Sequence, residues 1–176
     1  ARDEALARAI AVVTFRRFGT LRAALAERLA KGFPKEPRAT ALLATGEAQI
    51  LFLDVPDHAA VDLAVTLARS DDATRHLAKL VNAVLRRIAR ERDAVVEADP
   101  LGADTPDWLA RRWIARYGEA TARAIAAAHR QGAALDLTVK AEPELWAERL
   151  GGLALPTGTV RLGGRTAVRD LPGYAE

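Results

Sequence analysis

Gly46-Glu47-Ala48-Gln49-Ile50-Leu51-Phe52, then Val55-Pro56-Asp57-His58-Ala59-Ala60-Val61, then Leu80-Val81-Asn82-Ala83-Val84-Leu85-Arg86-Arg87: the run from Gly46 to Arg87 decides the fold. Three apolar helix faces follow one another in it, separated by short joints. The first places Ala39, Leu42, Leu43, Gly46, Ile50 and Leu53 on one stripe and ends at Val55-Pro56. Asp57 is a suitable cap for the second, over Ala60, Val61, Ala64, Val65 and Ala68. Ser70-Asp71-Asp72 makes the next break, with Asp72 as cap, and Leu77, Leu80, Val81, Val84, Leu85 and Ile88 follow at helical intervals. Gly46 inside a helix costs about 1 kcal/mol relative to Ala. Close approach of a neighbouring helix is the expected compensation. Gln49 and Asn82 lie beside these stripes, where a buried amide needs a partner. Gln49 is expected to bond the backbone of the next joint, and Asn82 that of a neighbouring loop.

Outward from that run, the N-terminal part reads as a basic helical entry. Helix one is expected from about Asp3 to Phe18, ended by a left-handed Gly19, and helix two from a Thr20 cap to Lys31-Gly32. Pro34 and Pro37 make a joint, and Pro37 suits the first turn of helix three. Residues 1–38 hold nine Arg or Lys against four Asp or Glu, an excess of +5, whereas residues 39–176 hold seventeen against nineteen. Arg8, Arg16, Arg17 and Arg22 are the candidate RNA contacts here, with Arg86, Arg87 and Arg90 extending the basic surface. A solvated helix face explains the same arginines without any ligand. The predominance of Arg over Lys suits bidentate phosphate contacts and is matched equally by compositional bias.

Residues 97–104 read as a polar linker. Thr105-Pro106-Asp107 starts a helix with Trp108, Leu109, Trp113 and Tyr117, closed by Gly118. Its helical setting favours packing of both tryptophans over a stacking platform for bases. An Ala-rich helix follows to Gln131-Gly132. Then the pattern changes: Leu135 to Val139 alternates like a strand, Pro143 to Leu150 reads as a short helix, and Gly158 to Leu162 as another strand. This strand-helix-strand piece is βαβ-like, and too small for an independent sheet.

Composition bounds the chemistry. The 176 residues contain no cysteine, so disulfides, thiolate metal sites and cysteine nucleophiles are excluded within them. His58, His76 and His129 are far apart, so no metal site is expected. No phosphate-binding glycine loop or serine elbow is present. No apolar run approaches the roughly 20 residues of a membrane span. A soluble, mainly α chain is expected: a helical bundle, two further helices and a small partial α/β piece.

The residues Gly46, Gln49, Leu51, Pro56, Ala59-Ala60-Val61 and Val81-Asn82-Ala83-Val84-Leu85-Arg86 resemble the NusB-like domain of bacterial antitermination factors and certain RNA methyltransferases. Arg2-Asp3 through Arg8 resembles that family's start. The series continuing through Pro106-Asp107-Trp108-Leu109, Arg112-Trp113, Tyr117-Gly118, Leu137-Thr138-Val139-Lys140 and Leu171-Pro172-Gly173-Tyr174 is similar to the Sun family of ribosomal RNA cytosine-5 methyltransferases. One departure is Thr138-Val139-Lys140, where that family more often shows Arg-Val-Asn.

The resemblance implies a NusB-like domain over 1–98, a helical extension over 99–133 and a connector over 134–176, leading to an absent catalytic domain. It further implies a cytoplasmic RNA-docking role, with ribosomal RNA and the protein's own catalytic domain as partners. S-adenosylmethionine is expected as cofactor of the whole enzyme, with no catalytic or cofactor-binding residue in this stretch. The family's route through a cysteine thiolate is closed to a chain without cysteine. The alternative is a NusB-type antitermination or other protein-interaction module.

Overall fold

The computed structural model describes residues 2–95, 98–163 and 167–174, without the side chains of residues 2 and 94. The chain divides into two compact units, Ala1–Arg130 and Gln131–Glu176. Among the described residues no helix is long and apolar enough to cross a membrane.

The first unit is helical: α1 (Arg2–Arg16), α2 (Phe18–Arg28), α3 (Pro37–Phe52), α4 (Asp57–Ser70), α5 (Ala78–Arg90), α6 (Asp107–Tyr117) and α7 (Glu119–Gln131), whose last residue belongs to the second unit. The core is shared by Leu25 and Leu29, by Leu43, Ala44 and Ile50 of α3, by Ala60 to Ala68 on one side of α4, and by Val81, Val84, Leu85 and Ile88 of α5. Their spacings are those of single helix faces, and each fully buried Leu, Ile or Val contributes about 1.5–3 kcal/mol. Gly46 meets the expectation of close approach: a Cβ built on it falls 2.6 Å from Leu85 Cδ1. The missing side chain lets α3 lie against α5.

Several joints differ from the sequence reading, among them the start of α4, where Pro56 takes the cap position and Asp57 is the first helical residue. Helix one ends at Arg16, the chain breaks at Arg17 (φ −118°, ψ 23°), and Gly19 sits inside α2. Gly19 is therefore no left-handed terminator. A Cβ on it would lie 1.7 Å from the carbonyl oxygen of Ala103, so contact with a distant turn requires the glycine. Thr20 is buried, and its N–H and hydroxyl both donate to the Asp104 carboxylate, at 2.8 and 2.9 Å. An acid 84 residues away thus occupies the first turn of α2, where free N–H groups and the helix dipole favour a carboxylate.

Before α5, Asp71 rather than Asp72 serves the turn: its carboxylate accepts from the Ala73 N–H at 2.9 Å. A single 3-10 turn, Arg75–Leu77, then leads into the helix. The expected linker contains one π-helical turn, Pro100–Asp104. Residues 96 and 97, where that linker was expected to begin, lie outside the described residues.

The two amides also find different partners. Gln49 donates to the Thr45 carbonyl at 3.1 Å, one turn back in its own helix. Asn82 Oδ1 accepts from Arg86 Nε at 3.0 Å, again within one helix. Short polar side chains satisfy themselves locally when helix geometry places a partner four residues away.

In the second unit β1 (Leu135–Thr138), β2 (Leu153–Ala154) and β3 (Thr159–Leu162) form a three-stranded sheet of order β1-β3-β2, with α8 (Pro143–Leu150) between β1 and β2 in the chain. The strand-helix-strand order is as expected, but both pairings are antiparallel, with Leu135 opposite Leu162 and Leu153 opposite Arg161. The reason is the tight return after β2, where Gly158 takes φ +74° and folds β3 straight back. A parallel pairing would need a longer crossover. Arg161 grips Asp136 across the strands through two hydrogen bonds of 2.7 Å. Ala147, Val160 and Leu162 form this unit's small core.

Candidate RNA-facing surface

The candidate arginines occupy two sets of elements. Arg8 is exposed on α1, Arg16 half-exposed in its last turn, and Arg17 in the break that follows. The Arg17 guanidinium lies 4.1 Å from the centre of the Phe52 ring at the end of α3. Arg22, exposed on α2, lies 5.5 Å from the Phe33 ring. Aromatic faces hold guanidinium planes by cation–π attraction, and at Arg22 this leaves the N–H edge available to an anion. Phe15 and Phe18 flank this region, 78% and 46% exposed.

The second set is on α5, where Arg86, Arg87 and Arg90 are all exposed. Arg86 is steadied by Asn82, and Arg87 pairs with Glu91 at 2.7 Å. Glu91 lies 3.1 Å from Arg28 Nε as well, which connects α2 with the end of α5. The Arg87 bond comes first among the causes that hold the Glu91 carboxyl below its ordinary range. Among the described ion pairs Arg87 has a carboxylate within ion-pairing distance, while Arg8, Arg16, Arg22, Arg86 and Arg90 have none there.

Most other arginines with resolved contacts face acids. Arg38 meets Asp71, Arg75 meets Asp72, Arg92 meets Asp57, and Arg123 meets Asp99 and Glu119. The deepest is Arg130 on Asp104, with side chains 8% and 5% exposed; Arg130 also donates to the Ala98 carbonyl at 2.7 Å and to Thr20 Oγ1 at 3.2 Å.

Two features escaped the sequence reading. Glu47 is fully buried on α3, and neither carboxylate oxygen has a hydrogen-bond partner. Desolvation pushes its carboxyl up to about 8, against the opposing charge of Arg28. An acid in the middle of the apolar run Gly46–Leu51 was the available signal. Second, Trp108 of α6 is 62% exposed, against the expectation that both tryptophans pack. Trp113 does pack, beside Leu101, Ala122 and Ala126 and edge-on to His129 at 5.2 Å.

The cavity of about 380 Å³ in the second unit is lined by Leu137, Lys140, Trp146, Leu171, Gly173 and Tyr174 among others.

Residues 1–90 match the NusB family, and the chain belongs to that family. Over 98% of its length the chain is 38% identical to the ribosomal RNA small subunit methyltransferase B of Xylella fastidiosa, covering 42% of that protein. It is 33% identical over 99% of its length to the protein of the same name from Xanthomonas campestris pv. campestris, covering 41%. The chain thus spans about two fifths of the length of the curated relatives it matches.

Proposed function

We propose that this chain is the RNA-docking part of a ribosomal RNA methyltransferase, holding the substrate through phosphate contacts while another part performs the chemistry. In this reading residues 1–98 are the NusB-like domain, 99–133 a helical extension and 134–176 a connector to the catalytic domain. The observation that carries it is the absence of any described carboxylate partner for Arg8, Arg16, Arg22, Arg86 and Arg90 in a protein whose other arginines so often have one. Exposed guanidiniums without an internal anion are suited to an external one. Similarity to two ribosomal RNA methyltransferases supports RNA as that anion.

The reaction of the whole protein is placed at cytosine carbon 5, with S-adenosylmethionine as methyl donor. No residue of this chain is assigned to either. The test is binding of the chain to small-subunit ribosomal RNA at two salt concentrations. Five phosphate contacts predict a loss of about a hundredfold between 50 and 200 mM salt. Affinity indifferent to salt contradicts the proposal.

A second reading, a NusB-type antitermination or other protein-interaction module, is favoured by Leu6, Phe15 and Phe18, which expose apolar surface on α1 and α2. Recovery of one stoichiometric protein, with no affinity for RNA, would support it in place of the first.

A further inference from the structure

The helix α6 presents aromatic and cationic side chains together. Its sequence, Asp107-Trp-Leu-Ala-Arg-Arg-Trp-Ile-Ala-Arg-Tyr117, carries one acid and three arginines. Arg111, Arg112 and Arg116 are exposed, and none makes a described ion pair. Trp108 and Tyr117 are 62% and 54% exposed. A shallow, open hollow of about 640 Å³ runs along the helix, its lining including Trp108, Leu109, Arg112, Trp113, Arg116 and Tyr117.

The other two tryptophans have ring partners. Trp113 meets His129, and Trp146 lies under Arg149 at 4.6 Å. No ring or guanidinium stacks on Trp108 among the described residues. Its large apolar face is left to solvent beside Arg112, one turn further along. An apolar protein partner would cover that ring and leave three guanidiniums without an anion. A nucleic-acid strand supplies both a π face and a phosphate at each step.

We propose that the face of α6 around Trp108 is a stacking platform for single-stranded RNA, in which Trp108 receives a base face and Arg112 and Arg116, on the same side of the helix, the neighbouring phosphates. The proposal rests on the RNA-docking reading and adds a second contact surface beyond the residues matched to the NusB family. Trp108, Arg112 and Arg116 succeed one another at four-residue spacing, about 6 Å per step along the helix axis at about 1.5 Å per residue. Stacking needs an unpaired base, so the platform selects loops and single strands over duplex, whose bases are already stacked.

The test uses the whole 176-residue chain with a labelled single-stranded RNA of mixed sequence and a duplex of the same length. Trp108→Ala is expected to weaken single-strand binding about tenfold and to leave duplex binding unchanged. Trp108→Phe should restore most of the loss, and the tryptophan emission quenched by the single strand should be smaller in Trp108→Ala. Arg112→Ala with Arg116→Ala should weaken the single strand and lower its salt dependence, which tests the platform without touching the ring. Equal affinity of parent and both variants for the single strand overturns the proposal, as does an equal loss for duplex. Parent chain that binds neither RNA overturns the docking reading itself. Salt-dependent binding of ribosomal RNA with α6 variants indistinguishable from parent overturns the platform alone.

Discussion

Arginine does opposite work in two regions of this protein. Where Asp104 meets Thr20 and Arg130, the guanidinium is enclosed and joins segments far apart in sequence. On the outer faces of α1 and α2, Arg8 and Arg22 stand exposed with no acid partner among the described ion pairs. The residue type is the same, so only the partner separates a structural charge from one available to a ligand. The enclosed set should govern stability and leave the salt dependence of RNA binding alone. The exposed set should do the reverse.

The largest stability effect is expected at the enclosed pair. Asp104→Ala strands Arg130 and removes the acid from the first turn of α2, a loss of about 3–5 kcal/mol. Chemical denaturation checks it, and Asp104→Asn, which keeps one acceptor for Thr20, should lose less. If Asp104→Ala is as stable as the parent, this cluster does not join the region around residue 104 to α2.

A buried acid with no such partner comes next. Glu47 has its carboxyl near 8 in the folded protein and about 4.3 when unfolded, so the native state holds the proton more tightly. Stability is therefore expected to fall as pH rises from about 4.5 through 8, and then to level off. Glu47→Gln should remove that slope and gain about 2–5 kcal/mol at pH 9, with little change at pH 4. A parent protein with flat stability across this window would show that Glu47 ionises freely, through water or through Arg28.

Smaller in size, but diagnostic of packing, is the contact of Gly46 with Leu85. Leu85→Ala should cost about 2–5 kcal/mol. Adding Gly46→Ala to it should recover about 1 kcal/mol, because the new methyl enters the space vacated and the helix gains propensity. Additive losses measured in a double-mutant cycle would mean the two helices do not meet there.

These sites also mark what was readable from the amino acids. The α3–α5 core was legible because its apolar residues repeat at helix spacing, and Gly46 interrupts a stripe that nothing else in the sequence explains. Gly19 was not legible. A glycine near a helix end reads as a left-handed stop, and only the carbonyl of Ala103 shows that space was the requirement.

Trp108 and Trp113 looked alike as core residues, yet five positions on a helix amount to about 500°, so the rings point roughly 140° apart and one core takes one of them. Asn82 and Gln49 were legible as amides needing partners, but their local partners compete with the distant ones that the sequence suggested. For the candidate surface, the arginines were legible as a cluster. Which of them lack an acid was set by folding, apart from Arg87, whose Glu91 stands at the i,i+4 spacing.

The most direct measurement is the slope of log affinity against log salt for RNA binding by three proteins. These are the parent, Arg8→Ala/Arg16→Ala/Arg22→Ala, and Arg38→Ala/Arg75→Ala/Arg123→Ala, whose arginines already face acids. The account predicts a slope shallower by about 2 for the first variant and unchanged for the second, with both still folded. Equal slopes in all three proteins would contradict it.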